Sequence, residues 1–217
     1  MLENILKDEE VKAIINNVNN VIIVNNCGCH GMGHIQRVMN YVKIILEGIN
    51  CDKHTIELGQ IAAYLHDIGA VMGKQGHAER SADFSLMYLK KIGMNDEDIH
   101  TIEHAIRNHS GGTNLESPIG AALTIADKID MGKERMMRFI DGIPYHDNVK
   151  HILNIDLNVY DNNIIVNIIT DGKFDYSCLK DHSKVIIKPT EMAKYLNRTC
   201  IFKIDNKEID LYNIINQ

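Results

Sequence analysis

A histidine followed directly by an aspartate is the feature of this sequence whose residue types could support chemistry. The stretch 61–69 places apolar residues at helical spacing, and His66 falls on the same stripe, four residues after Ala62. Asp67 follows directly. An ionisable pair at the inner edge of a buried helix is costly unless an ion pair, a hydrogen-bond network or a metal ion compensates it. The pair therefore indicates a site, provided that other segments supply its partners.

Three other predicted helices and one helix start each carry a histidine or an aspartate at, or beside, the buried face. For any single histidine, a hydrogen-bonded core or surface role is the more common explanation. Separate segments that each bury an unpaired polar group are harder to explain unless these groups share a partner. Four imidazoles and two carboxylates make six donors, enough for two adjacent metal ions with open positions. The predicted metal ligands are His34, His66, Asp67, His77, His109 and Asp127.

The donor types indicate the metal class and the reaction. Nitrogen and oxygen donors without thiolates suit iron, manganese, cobalt or zinc, so we predict two divalent transition-metal ions without choosing among these. Asp67 is the best candidate to bridge both ions, because a carboxylate has two oxygens. Bound ions lower the pKa of water and hold phosphate oxygens during phosphoryl transfer. The expected activity is hydrolysis of a phosphoester or phosphoanhydride.

Positively charged side chains near these donors could bind the phosphates of a substrate. Lys74 lies in the glycine-rich segment between Asp67 and His77, while Arg37 and Arg107 lie one helical turn or less from a predicted ligand. We predict substrate contacts for Arg37, Lys74 and Arg107, and catalytic roles for Asp67, Lys74 and Arg107. The alternative for each cation is an ordinary solvated position.

Further polar residues lie close to the predicted ligands. Arg80 and Lys128 are additional candidate phosphate contacts. His30 and His104 precede predicted ligands by four and five residues, so each is a candidate to hydrogen-bond and orient a ligand or to donate a proton, with a surface histidine as the alternative.

The predicted helices and strands that carry these residues fall into two parts. Apolar spacing and capping residues predict helices over about 8–20, 33–47, 52–69, 77–91, 96–109, 117–130 and 133–140. Alternation then predicts a β-hairpin over about 155–169, helical patches over 174–182 and 189–197, and strands over 199–205 and 208–211. The predicted fold is mainly α, with a helical bundle over residues 1–145 and a small α+β appendage over 146–217.

Composition limits the partners and the compartment. A formal charge of −6 argues against general nucleic-acid binding. The absence of a signal pattern and of a long apolar run argues against secretion and membrane spanning, so we expect a cytoplasmic protein. Five scattered cysteines suit reduced thiols. Cys27-Gly-Cys29-His30 has half the pattern of a zinc site, but no second cysteine pair completes it, which favours loop or packing roles.

The order of the predicted ligands resembles that of the HD-domain metal phosphohydrolases, which are named after an adjacent His-Asp pair. The resemblance covers about residues 29–130: His30-Gly-Met-Gly-His34 with Arg37 is similar to the first motif, His66-Asp67-Ile-Gly69 to the namesake, and Ala126-Asp127-Lys128-Ile-Asp130 to the last. His77 and His109 resemble the extra ligands of the dinuclear branch. Within it, Gly76-His77-Ala78 and the segment 105–111 are similar to bacterial enzymes that split diadenosine tetraphosphate symmetrically.

The resemblance implies a helical metal-binding domain and a small phosphorylated substrate, most simply a nucleotide. A homodimer is a candidate assembly. The chain lacks the Gly-Tyr-Pro segment of the cyclic-di-GMP phosphodiesterase branch, and its β-containing tail has no counterpart in the short tetraphosphatases. Two alternatives stay open at this stage. One is a di-iron oxygenase built on the same fold, and the other is a nucleotide-binding sensor without turnover.

Overall fold

A computed structural model describes residues 1–22, 30–112, 114–136 and 142–212. Its first part consists of α-helices joined by short turns. These helices are α1 (Leu2–Lys7), α2 (Glu9–Ile22), α3 (Met32–Gly48), α4 (Lys53–Leu65), α5 (His77–Lys91), α6 (Asp96–Asn108), α7 (Pro118–Ile129) and α8 (Pro144–Val149). Two short 3-10 helices, Ile68–Met72 and Lys133–Arg135, lie between them.

Several helices begin at capping residues that can be recognised in the sequence. The Asp52 carboxylate accepts a hydrogen bond from the Thr55 amide at 2.9 Å, and the Asn95 side chain accepts from the Asp98 amide at 2.9 Å. Both residues satisfy amides that have no partner within their own helix. Pro118 occupies the first turn of α7, where a missing N–H costs nothing.

The last part of the described chain is a four-stranded sheet with one long helix. Its elements are β1 (Ile152–Val159), β2 (Asn163–Thr170), a 3-10 helix (Tyr176–His182), α9 (Lys184–Tyr195), β3 (Thr199–Ile204) and β4 (Lys207–Glu208). The strand order is β1-β2-β3-β4. β1 and β2 form an antiparallel hairpin, whereas β3 pairs parallel to β2 with Asn163 opposite Thr199. A parallel neighbour requires a crossover, which the 3-10 helix and α9 supply.

One apolar cluster runs through both parts. Ile45, Leu65 and Leu123 of the helical part belong to the same cluster of buried residues as Ile155 and Val166 of the sheet. β1 packs against α3, and α9 packs along α7. The predicted division at residue 145 stays a prediction. The contacts do place the appendage against the helices that carry His34 and Asp127.

The predicted fold class is confirmed, and the differences are local. α4 ends at Leu65 rather than near residue 69, and α9 begins at Lys184 and runs through Pro189. α1 and α8 were not predicted from the sequence. The predicted helix 133–140 is wrong at its start, because a 3-10 turn ends at Arg135 and Met136 is extended; residues 137–140 lie outside the described part. None of the described helices is long and apolar enough to cross a bilayer.

Candidate metal centre

The His66-Asp67 pair lies at the break between α4 and the following 3-10 helix. His66 is the first residue beyond α4, and Asp67 leaves helical geometry at φ −107° and ψ 5°. His66 is fully buried and Asp67 is 1% exposed. This break turns two adjacent side chains toward the same interior point, which consecutive residues of a continuous helix would not do.

Four residues meet at this point and could hold one cation: His34, His66, Asp67 and Asp127. The Nε2 of His34 lies 3.3 Å from the Nε2 of His66 and 3.4 Å from Oδ2 of Asp67. Oδ1 of Asp127 lies 3.4 Å from the same Nε2 of His34. These donors come from α3, the end of α4 and α7, so tertiary packing brings them together.

A second group shares Asp67 with the first and contains His77 and His109. The other carboxylate oxygen, Oδ1 of Asp67, lies 3.2 Å from His77 Nε2 and 3.7 Å from His109 Nε2. The two imidazole nitrogens are 3.2 Å apart. Asp67 therefore presents one oxygen to each group, which is the arrangement that a bridging carboxylate requires.

The outer nitrogens of these imidazoles decide which way each lone pair points. The Nδ1 atoms of His66, His77 and His109 lie 2.7, 2.8 and 2.6 Å from backbone carbonyl oxygens. Since a carbonyl can only accept, each Nδ1 must carry the hydrogen, and each neutral ring then has a bare Nε2 facing the centre. Bare nitrogens about 3 Å from one another repel unless a cation stands between them. The donor set therefore fits metal ions, and the carbonyls would orient the ligands.

The electrostatics of the site also favour positive charge. Burial opposes ionisation of Asp67 and Asp127, but the neighbouring His66 imidazole for Asp67 and the Lys128 ammonium for Asp127 hold the pKa of each carboxyl well below its ordinary value. Burial likewise works against charge on His34, yet the surrounding carboxylates raise its pKa to about 9. The centre thus stabilises a cation where the two carboxylates and His34 meet.

His34 has a carboxylate rather than a carbonyl behind it. Its Nδ1 donates to Oδ2 of Asp130 at 2.6 Å, and Arg37 donates to both oxygens of that carboxylate, at 2.6 and 3.0 Å. Arg37 also reaches Glu134 at 3.2 Å. Asp130 is 5% exposed, so this hydrogen-bonded set keeps its buried charge paired.

His30 contacts the central pair directly. Its Nδ1 lies 2.6 Å from Oδ2 of Asp67, and its side chain is 7% exposed. Burial lowers the pKa of His30 to about 4 despite the nearby Asp67 charge, so the ring is neutral near pH 7 and donates its hydrogen to that oxygen. Of the two extra histidines considered from sequence, this one reaches the centre. His104 instead faces Glu116 at 3.3 Å.

A close backbone approach places His77. A Cβ atom at Gly69 would lie 2.6 Å from the Ser81 amide nitrogen and 2.7 Å from the His77 carbonyl oxygen, so only glycine lets the turn after Asp67 pack on α5. The Ser81 hydroxyl accepts from the Gly69 amide at 2.9 Å, and Arg80 Nε donates to the Gly69 carbonyl at 3.0 Å. Arg80 therefore supports the turn rather than a phosphate.

The two donor groups border a cavity of about 330 Å³. Its lining includes Asp67, His77 and Asp127 on one hand and four cations, Lys74, Lys128, Arg135 and Lys184, on the other. Tyr145, His146 and His182 also line it, so residues from the end of the chain form part of its wall. A concave, largely pre-formed space beside convergent polar groups is the usual form of a small-molecule site.

The predicted cations separate into those that line the cavity and those that do not. Lys74 and Lys128 do. Arg37 does not, because its guanidinium holds Asp130 and Glu134. Arg107 does not either, because it pairs with Asp83 at 2.7 Å and with Glu103. This differs from the sequence-based expectation: each arginine lies near a ligand in sequence but points away from it, and the geometry does not favour a direct substrate contact or a catalytic role for either.

Three residues at the site, Asp130, Arg135 and Lys184, were not predicted from the sequence to orient a ligand or to line the cavity. Asp130 behind His34 could have been suspected from its place three residues after Asp127, one turn along. Arg135 and Lys184 carried no signal, because the turn and the crossover that bring them to the cavity are set by long-range packing. Cys27 and Cys29 lie outside the described residues; their predicted loop or packing role stays a prediction.

Comparison with known proteins relates part of the chain to one family. The HD domain family matches residues 31–132, a span that includes all six candidate ligands. A solved structure of a predicted HD superfamily hydrolase from an uncultured Thermotogales bacterium is 27% identical, with a TM-score of 0.45, and the match covers 61% of this chain and 75% of that one. Comparison with curated proteins gives no significant match.

Proposed function

We propose that this protein is a metal-dependent phosphohydrolase that cleaves a phosphoester or phosphoanhydride of a small, nucleotide-like substrate. One observation supports this above all: the two carboxylate oxygens of Asp67 face two separate groups of donors at the edge of a cation-lined cavity. The match of residues 31–132 to the HD domain agrees with it. The proposed ligands are His34, His66, Asp67 and Asp127 for one divalent ion, and Asp67, His77 and His109 for a second.

Divalent ions bound there would supply an activated water and would neutralise phosphate charge. The chain's own residues would do the rest. Lys74, Lys128 and Arg135 would bind the phosphate groups of the substrate, because all three line the cavity together with Asp67 and Asp127. His30, neutral and hydrogen-bonded to Asp67, would keep that carboxylate ionised and in place.

A nucleotide is the proposed substrate because the cavity combines cations with aromatic surface. Tyr145 and His182 stack with ring centroids 3.7 Å apart and both line the cavity. Aromatic rings beside phosphate-binding cations suit a ligand with a ring at one end and phosphates at the other.

The test combines metal analysis with a phosphate-release screen over nucleotides and dinucleoside polyphosphates. We expect the purified protein to retain a transition metal and to hydrolyse at least one compound of the set. His66→Ala should lower the rate more than about 100-fold, because it removes one donor of the first group. The matched control is His100→Ala, an exposed histidine that pairs with Glu116 and should leave the rate unchanged. Protein that holds no metal and shows no turnover with added manganese, iron, cobalt or zinc would contradict the proposal.

A further inference from the structure

Part of the cavity wall is formed by residues other than the metal donors and their support. All three carboxylates in its lining, Asp67, Asp127 and Asp130, belong to the metal centre or its support. The 3-10 helix that ends at His182 and the first turn of α9 add His182, Lys184 and Val185 to the wall, and α8 adds Tyr145 and His146. This part of the wall therefore comes from the part of the chain that follows the HD match.

The lining of the cavity carries four cations, Lys74, Lys128, Arg135 and Lys184. Among the described residues, the ammonium groups of Lys74 and Lys184 form no ion pair, whereas Lys128 pairs with Asp127. Lys74 is close to other cations: partial burial lowers its pKa and the charges of Arg135 and Lys128 lower it further, while Asp127 and Asp67 act in the opposite direction. His182 is close to Lys74: burial lowers its pKa, Asp181 opposes this, and the charge of Lys74 acts in the same direction as burial. Like charges crowded around an empty space are relieved by an anion that enters it.

Arg135 adds an unsatisfied donor. Its Nη1 is buried and has no hydrogen-bond partner within the described structure, and its side chain is only 14% exposed. Its Nη2 lies 3.4 Å from His30 Nδ1 and 3.7 Å from Asp127, and its Nε lies 3.9 Å from Asp130, so the contacts of its other nitrogens are long. A buried guanidinium nitrogen without an acceptor is costly, and a phosphate oxygen in the cavity would supply the acceptor.

The part of the cavity wall that carries Lys184 is held in place by packing against neighbouring helices. The stacked rings of Tyr145 and His182 tie α8 to the 3-10 helix, and α9 packs along α7, the helix that carries Asp127. Lys184 is the first residue of α9. Its side chain therefore projects from a fixed helix rather than from a loose loop, which limits the entropy lost when it binds a ligand.

We propose that Lys74, Arg135 and Lys184 form a second phosphate subsite beside the metal centre, so that the cavity selects compounds with at least two phosphate groups over monophosphates. This inference rests on the proposed function and narrows its substrate class. The C-terminal part is then a specificity element, because it supplies Lys184 and the aromatic pair that anchors it.

The test measures binding rather than turnover. Methylenediphosphonate, whose P–C–P bridge resists hydrolysis, and methylphosphonate are titrated by calorimetry into the full chain as purified. We expect the wild type to prefer the diphosphonate by about tenfold or more. Lys184→Ala should remove most of that preference by weakening diphosphonate binding while changing methylphosphonate binding less than about twofold. Lys184→Arg should restore it in part, because the positive charge returns.

The matched control is Lys180→Ala, which removes the same charge four residues earlier from a side chain that does not line the cavity. It should leave the preference unchanged. The inference is overturned if the wild type shows no preference, if Lys184→Ala leaves the ratio unchanged, or if both alanine variants weaken both ligands alike. A protein that prefers the diphosphonate through Lys184 but hydrolyses nothing would refute the proposed hydrolase while the subsite stands. Turnover without an effect of Lys184 on the preference would refute the subsite alone.

Discussion

The imidazole of His34 and the carboxylate of Asp130 form a buried hydrogen bond of 2.6 Å. Among the candidate histidine ligands, His34 alone has an outer nitrogen that contacts a charged group. The outer nitrogens of His66, His77 and His109 contact backbone carbonyl oxygens. The same carboxylate accepts two hydrogen bonds from Arg37. A surface guanidinium is thereby linked to the metal centre through a single side chain, and this link gives the first two predictions.

Asp130→Asn should weaken metal binding about 10-fold to 100-fold, because it removes the charge that orients His34 and raises its basicity. The measurement is the dissociation constant for Mn²⁺ or Zn²⁺ with metal-free protein. Asp156→Asn is the control, since Asp156 is an exposed carboxylate of β1 that contacts Asn154 and no ligand. Equal affinity of wild type and Asp130→Asn would count against an orienting role.

Arg37→Gln should lower the free energy of unfolding of the metal-free protein by about 1–3 kcal/mol, because Asp130 loses two charged donors inside the protein. The effect is limited by solvent screening, because the Arg37 side chain is 26% exposed. Urea denaturation measures it. If Arg37 instead contacted substrate, as the sequence suggested, the substitution would raise KM while leaving stability unchanged.

Gly69→Ala should destabilise the protein by about 1–3 kcal/mol, since the added Cβ would overlap backbone atoms of His77 and Ser81. The shift should also displace His77 and weaken the second donor group more than the first. Metal stoichiometry together with thermal unfolding checks both effects. Gly111→Ala is the matched control, because a Cβ there meets nothing within 4 Å. Two retained metals in Gly69→Ala would contradict the positioning argument.

Metal binding should release protons and strengthen as pH rises toward about 9, the value to which the surrounding carboxylates raise the pKa of His34. Below that pH the imidazole is protonated in the metal-free protein, so a metal must displace the proton. Affinity should therefore gain up to about tenfold per pH unit between pH 6.5 and 8 for each proton displaced. Calorimetry in buffers of different ionisation enthalpy counts the protons. Binding that is independent of pH would show that His34 is neutral before the metal arrives.

Local patterns were sufficient to predict most of the helices and the candidate ligands. The apolar stripes of α3, α6 and α7 have the helical period, so they identify which face is buried and which histidine or aspartate lies on it. The caps at Asp52 and Asn95 are equally local. The crossover into α9 was harder, because Pro189 inside the helix is a signal that normally marks a helix start.

The set of candidate metal donors could therefore be read from the sequence, including the helix and the helix face on which each donor lies. The contacts of the long arginine and lysine side chains, in contrast, depend on the tertiary structure. It turned Arg37 and Arg107 toward carboxylates, brought Arg135 and Lys184 to the cavity, and placed the two oxygens of Asp67 between separate groups. This difference follows from the distance along the chain over which each kind of interaction acts. Helix periodicity depends on residues three or four apart, whereas the target of a flexible cation depends on whichever charges the packing of distant elements brings within its reach.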